Sequence, residues 1–283
     1  MKIGKIKLLP LLFFLFTCSY GAGSITHMFI AKEAAMALSE KQLKNLILNN
    51  MDAYLVGSNF PDTGYIQGTD YGLDSHLEGF INTFITYLHE QYSFPEQQNP
   101  KLVAFLLGCA THQTVDQLFH GVFINKISAE DFHGDWQKAH RASERNLDFL
   151  INVDKNQWLE RPRIWWVPIH DLLAVYRKMG KNKYSASEIL WGNAVYSFSG
   201  MNERILSLAG YYYAQRETPW LARHYYDSPQ GLLFAEQLSS NYMLDVWHHI
   251  LNCPKKVHSA PVKKMTSLPI SNTQSVSPTF TFA

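Results

Sequence analysis

The chain is poor in cysteine, poor in charge, and without a long apolar run. Cys18, Cys109 and Cys253 are its only cysteines. That is too few for a disulfide scaffold or a Cys-rich zinc module. Charged residues make up 17%, and 25 Lys and Arg nearly cancel 24 Asp and Glu. A strongly basic domain held to nucleic acid by bulk charge is thereby excluded. After the N-terminus, no stretch reaches the ~18 apolar residues that a membrane-spanning helix needs. No useful run of apolar–polar alternation occurs, so strands are not expected. No internal repeat is visible. What is present is 283 residues, 46% of them apolar, enough for one large folded domain with its own core.

The N-terminus has the layout of an export signal. Lys2, Lys5 and Lys7 precede a short apolar run, Leu8 to Phe16, and then the small and polar residues Thr17 to Ala22. The run is too short to cross a bilayer. Ser19 and Gly21 suit the positions before a cleavage point, so residues 1–21 are expected to leave and Ala22 to begin the mature chain. The protein is then exported, secreted or periplasmic, with no membrane-spanning segment. Losing three lysines leaves 22 basic residues against 24 acidic ones. Cys109 reads as a buried free thiol in a helix, with pairing to Cys253 left open. From residue 254 the composition shifts to Ser, Thr, Pro and Lys, which reads as a disordered tail.

Between these ends the chain reads as all-α. Apolar residues at helical spacing predict helices over 25–49, 77–92, 100–125, 129–152, 168–179, 185–216 and 229–252. Prolines 95, 100, 162, 168, 219 and 229 fall at the breaks. Residues 50–76, GSNFPDTGYIQGTDYGLDSH at their core, are rich in Gly, Asp, Pro and Asn. They read as a long loop, and a loop of that length is usually functional. The aromatic runs Trp165-Trp166 and Tyr211-Tyr212-Tyr213 fit a helical core better than a lipid interface.

The chemistry concentrates on the helix 100–125. His112, Asp116 and His120 recur every four residues and share one face. At ~1.5 Å per residue the stripe is about 12 Å long, too long for one ion to take both histidines. It suits two ions with the carboxylate between them. The next helix offers His140 and Glu144, again at i, i+4. His and carboxylate at this spacing are ordinary zinc donors. Asp62 and His76 lie in the expected loop, and His27 opens the first helix. His89, His133, His170, His224, His248, His249 and His258 fall outside this set and read as surface or core residues.

The order THMFIAKEA, then Asp62 and His76, then HxxxDxxxH, then HxxxE resembles the zinc-dependent phospholipase C family. It is similar to the bacterial phospholipases C and to the N-terminal domain of glycosylphosphatidylinositol phospholipase D. The resemblance covers about residues 22–150. Related S1/P1 nucleases share the fold but separate the Asp and the following His by six. The spacing of four from Asp116 to His120 favours the phospholipase D-like branch.

The resemblance implies a single multi-helix domain of the phospholipase C/P1 nuclease type with three zinc ions in a cleft. Asp62, His76, His112 and Asp116 would hold the first ion, and His120, His140 and Glu144 the second. His27, a bridging Asp116, and the amine and carbonyl of the first mature residue would hold the third. That residue stands five before the His in the related enzymes, which is Ala22 here. Asp62 is also the candidate to orient or deprotonate the attacking water. The implied reaction is hydrolysis of phospholipid, at a membrane or micelle surface, to diacylglycerol and a phosphorylated head group. Thr63 replaces the aromatic residue that seats choline in the bacterial enzymes, so a choline box is not carried over. Phe60, Tyr65 and Tyr71 could form an aromatic pocket or pack the loop. The remaining readings are a single-strand nuclease and a non-catalytic zinc-containing lipid- or surface-binding protein. No nucleic-acid partner is expected.

Overall fold

The computed structural model describes residues 23–159 and 166–252, and every regular element among them is helical. The order is α1 (Ser24–Ala37), α2 (Lys41–Asn49), α3 (Met51–Thr63), α4 (Gly72–His76), α5 (Glu78–Gln91), α6 (Pro95–Gln98) and α7 (Pro100–Leu118). A π-helical turn, Phe119–Phe123, joins α7 to α8 (Ile124–Asp131). Then come α9 (Trp136–Asp154), α10 (Ile169–Lys178), α11 (Ala186–Glu217), α12 (Pro219–His224) and α13 (Leu232–Asn252). The export signal, Ala22, Trp165, Cys253 and the tail lie outside the described residues.

Local chemistry sets several of the boundaries. Asn99 accepts from Leu102 N–H and caps α7, whose first residue is Pro100. Ser185 and Glu188 form a reciprocal capping box that starts α11. α7 is buried almost throughout and forms the centre, with α3 and α13 packed along it. One apolar core gathers α3, α5, α7, α10 and α13. A second fills the space between the start of α1, the end of α7, α8 and α9. Cys109 is fully buried in α7, as expected.

The largest departure from the sequence reading is at 50–76. Residues Met51–Thr63 are a helix, not a loop. Gly57 and Gly108 explain it. A Cβ on Gly57 would stand 2.1 Å from the Phe105 carbonyl oxygen, and one on Gly108 would stand 2.1 Å from that of Tyr54. The two glycines let the backbones of α3 and α7 touch, and this packing outweighs weak helix propensity. Pro61 sits in the last turn, where it gives up the helical hydrogen bond to the Gly57 carbonyl, a loss that the same packing must offset. The expected helix 25–49 is broken at residues 38–40 into α1 and α2. The expected 100–125 and 129–152 are redivided by the π turn and by the break after Asp131.

The aromatic residues also sort differently. Phe60 and Tyr71 are fully buried core residues, so they form no pocket for a head group. Tyr212 and Tyr213, expected in the core, are 69% and 50% exposed.

Candidate metal centre

The α3–α7 contact fixes the site. It sets the end of α3, with Asp62, beside the fourth and fifth turns of α7, with His112 and Asp116. His112 Nδ1 lies 2.8 Å from the Ser58 carbonyl of α3. His76 ends the short helix α4, and its Nδ1 lies 2.7 Å from the Gly72 carbonyl. In each ring a carbonyl can only accept, so Nδ1 carries a proton and Nε2 is the nitrogen left to bind a metal.

Those Nε2 atoms converge. His76 Nε2 is 3.4 Å from Asp62 Oδ1 and 3.1 Å from Asp116 Oδ2. His112 Nε2 is 3.5 Å from Asp62 Oδ1 and 3.4 Å from Asp116 Oδ2. The two Nε2 atoms are 2.9 Å apart. Four donors at zinc distance in a tetrahedron stand roughly 3.3 Å from one another. Four of these five separations, 3.1 to 3.5 Å, are close to that figure, and the Nε2 pair is shorter.

The other oxygens of the same carboxylates face His27. His27 Nε2 is 3.4 Å from Asp116 Oδ1 and 3.7 Å from Asp62 Oδ2. Asp116 thus presents one oxygen to His76 and His112 and the other to His27, the arrangement of a bridge. Gly23, in the left-handed region at φ 84°, leads into α1 and lines the same cleft as His27. Ala22, the residue before it, lies outside the described residues.

A second group gathers His120, His140 and Glu144. Glu144 Oε1 is 3.4 Å from His120 Nε2 and 3.0 Å from His140 Nε2. His140 Nε2 is buried yet makes no hydrogen bond, so it and the carboxylate converge rather than point at each other. The π turn that begins at Phe119 sets the direction of His120.

Both groups line one cleft of about 970 Å³. Its wall holds Asp62, Asp116 and Glu144 and, among the described residues, no Lys or Arg. An anion could enter such a cleft only with cations already in it. The donor sets therefore fit zinc: imidazole and carboxylate, four in one group and three in the other. Electrostatics agree. Burial would lower the His76 pKa, but its contacts with Asp116 and Asp62 outweigh that and push it up to about 10. Burial likewise opposes protonation of His120, and Glu144 carries it up to about 9. Burial and the neighbouring His27 lower His112. Burial would raise Asp116, yet His112 and the other imidazoles hold it well below the usual carboxylate range.

The expected donors within the described residues come together at the cleft, His112 fully buried behind its wall and the others lining it. Thr63 does not: it is buried, and its hydroxyl donates to the Phe60 carbonyl at 2.6 Å. Of Phe60, Tyr65 and Tyr71, Tyr65 is the one that reaches the wall, its ring 5.1 Å from that of His76, and Phe119 lines the wall as well. The other histidines within the described residues are absent from the wall, as expected.

Two supporting residues escape sequence reasoning. Tyr196 of α11 donates to Asp62 Oδ2 at 3.1 Å. Asp148 of α9 accepts from Ile25 N–H, Thr26 N–H and the Thr26 hydroxyl at 3.0, 2.8 and 2.6 Å. It ties down the first turn of α1, from which His27 projects. Glu203, buried alongside, is pushed well above the usual carboxyl range by burial and by Asp148. No spacing rule connects residues 134 or 122 positions apart.

A model of the zinc dependent phospholipase C family matches residues 26–194. Phosphatidylinositol-glycan-specific phospholipase D of Rattus norvegicus is 30% identical over 80% of this chain and 29% of its own length. The protein of that name from Bos taurus is 34% identical over 61% of this chain and 22% of its own. The one from Dictyostelium discoideum is 28% identical over 79% and 25%. The chain spans less than a third of the length of these relatives. No solved structure gives a significant match.

Proposed function

We propose that this chain, which belongs to the zinc dependent phospholipase C family, cleaves phospholipid on the glycerol side of the phosphate, releasing diacylglycerol and a phosphorylated head group. The observation that carries the reading is the cleft that joins both donor groups, rich in carboxylates and without Lys or Arg among the described residues. Asp62, His76, His112 and Asp116 hold one zinc, and His120, His140 and Glu144 a second. His27, Asp116 and the backbone of Ala22 would hold a third, were export to free the Ala22 amine. Bound zinc supplies a nucleophilic water near neutral pH and neutralises charge on the phosphate oxygens.

The chain's own residues do the rest. Tyr196 holds Asp62 by one oxygen, which leaves the carboxylate turned to orient the attacking water and to receive its proton. The Gly72 and Ser58 carbonyls keep His76 and His112 in the tautomer that leaves Nε2 free. The cleft wall adds Tyr65, Leu73 and Leu77 as an apolar lip for the lipid. With Thr63, Phe60 and Tyr71 buried and Tyr65 alone of the expected aromatic set at the wall, no choline cage is expected. Phosphatidylcholine and phosphatidylethanolamine should be cleaved at comparable rates.

Product analysis tests the reading. Zinc-loaded protein given phosphatidylcholine should release diacylglycerol and phosphocholine, a chelator should stop it, and added zinc should restore it. Phosphatidic acid as the product would move the cleavage to the other side of the phosphate. Cleavage of single-stranded DNA with none of lipid would make it a nuclease. Bound zinc with no hydrolysis would make it a binding protein.

A further inference from the structure

Helix α11 is built inside out. Its buried face carries Gly192, Ser197, Gly200 and Ser207 together with Glu203 and Arg204. Its outer face carries Trp191, Phe198, Ile205, Leu208 and Tyr212, each more than half exposed. With Ala194 and Met201 between them, these side chains recur at alternating steps of three and four, so they form one stripe. At ~1.5 Å per residue the stripe is about 32 Å long. From Ile189 to Ala214 the only charged residues are Glu203 and Arg204, and both are turned into the protein. Of the 16 exposed large apolar side chains among the described residues, seven lie on this one helix. Ordinary surfaces scatter such residues singly.

The stripe begins at the cleft. The Trp191 indole N–H donates to the Gln67 carbonyl at 3.0 Å, and Gln67 lines the cleft wall. The lip there is apolar and open too, with Tyr65, Leu73 and Leu77 at 40, 50 and 44% exposure.

Three occupants can be weighed. A membrane span fails, because the opposite face of α11 packs on α9 and α3 and no described helix is long and apolar enough to cross. A second copy paired helix to helix would be steered by charges beside the seam. The flanking positions here are Leu190, Ser197, Arg204 and Tyr211 on one side and Val195, Asn202 and Ala209 on the other, and the one charge among them, Arg204, is buried and donates to the Gly200 carbonyl. A lipid surface accepts what is present. Trp191 stands at one end and Tyr212 and Tyr213 at the other, where amphipathic rings suit the head-group level, with purely apolar side chains between them. We propose that the outer face of α11 is the surface by which this protein settles on a neutral or zwitterionic phospholipid layer, lying in the interfacial plane with its Trp191 end at the cleft. The proposal rests on the reading of the cleft as a phospholipid-hydrolysing site.

The test uses the full zinc-loaded chain and a double variant, Ile205→Ser with Leu208→Ser. Both side chains are exposed, so folding is unaffected, which thermal unfolding checks. Binding is read by sedimentation with vesicles of phosphatidylcholine alone and of phosphatidylcholine mixed with phosphatidylserine. The native protein should bind both alike. Loss of two buried side chains should weaken binding roughly 100-fold. Hydrolysis of vesicle lipid should fall with it, while hydrolysis of a short-chain phosphatidylcholine dispersed as monomers stays unchanged. The proposal is overturned if the native protein binds neither vesicle, if it binds only those with phosphatidylserine, or if the variant binds as well. A native dimer that the variant splits, with vesicle binding unaltered, would make the stripe a pairing seam. If neither protein hydrolyses the monomeric lipid, the reading of the cleft fails, and sedimentation still decides the surface.

Discussion

The two donor groups share a cleft but are built to different standards. In the four-donor group His112 is fully buried, and His76, Asp62 and Asp116 expose 16, 12 and 19% of their side chains. Two of its rings are anchored through Nδ1 to backbone carbonyls, one of them across the glycine contact of α3 and α7. In the three-donor group the exposures are 36, 27 and 24% for His120, His140 and Glu144. His140 leans on Trp136, ring centroids 4.9 Å apart and nearly parallel, and His120 meets His140 edge-on. The first group is fixed by core packing. The second is held by surface rings and a π-helical turn. An ion in the first should be tight and slow to leave, and one in the second should exchange.

The largest effect expected is that of Asp116→Ala. Asp116 faces His27 with one oxygen and His76 and His112 with the other. Its loss should empty more than one zinc position and lower phosphodiesterase activity by more than about 100-fold, beyond what outer residues cost. Glu144→Ala should remove one zinc and leave the four-donor group loaded. Zinc per protein, measured beside the rate, separates the two variants. Equal zinc in both would erase the distinction.

Gly108→Ala attacks only the first group. The added Cβ cannot coexist with the Tyr54 carbonyl, so α3 must move away from α7 and take Ser58 and Asp62 with it. A destabilisation of about 3 kcal/mol or more is expected, or roughly 10 °C in Tm. The remaining zinc should sit in the His120 group.

Protonation gives a third comparison. In protein stripped of metal, His76 and His120 have pKa values pushed up to about 10 and about 9. Raised histidines stabilise the fold fully below their ordinary value near 6.5, and that contribution is lost as pH climbs through the raised values. The Tm of stripped protein should therefore fall as pH rises from about 6.5 towards 10, and zinc-loaded protein should not follow it. Near neutral pH both rings must give up a proton when zinc enters, so loading should release at least two protons per protein in an unbuffered titration.

Trp136→Ala is the mildest case. It removes the ring behind His140 without touching a donor. Zinc should leave the second group no more than about tenfold faster. The first group should be unaffected.

The same contrast explains what could be read from the chain. His112, Asp116 and His120 declare themselves by spacing because donors on one helix obey the helical period. His140 and Glu144 do so for the same reason. The direction of His120 was not legible, because it depends on a π turn that no period announces. Helix α3 was hidden because Gly57 and Pro61 read as breakers, and Gly57 is tolerated only for the close approach to α7. Tyr196 and Asp148 were invisible because their partners lie on distant segments brought together by packing. The outward face of α11 escapes the sequence reading, in which the run Tyr211-Tyr212-Tyr213 reads as core. Its period was visible, but the side of the helix facing the protein was not.

Stepwise removal of metal tests the two-standard site most directly. Zinc-loaded protein is exposed to rising chelator while zinc content and phospholipid hydrolysis are followed together. The account predicts two stages. The zinc of the His120, His140 and Glu144 group should leave first and take most of the activity with it. The zinc of the Asp62, His76, His112 and Asp116 group should follow only at much higher chelator, with the loss of Tm. Loss of all zinc in one step, or hydrolysis that survives the loss of zinc, would contradict it.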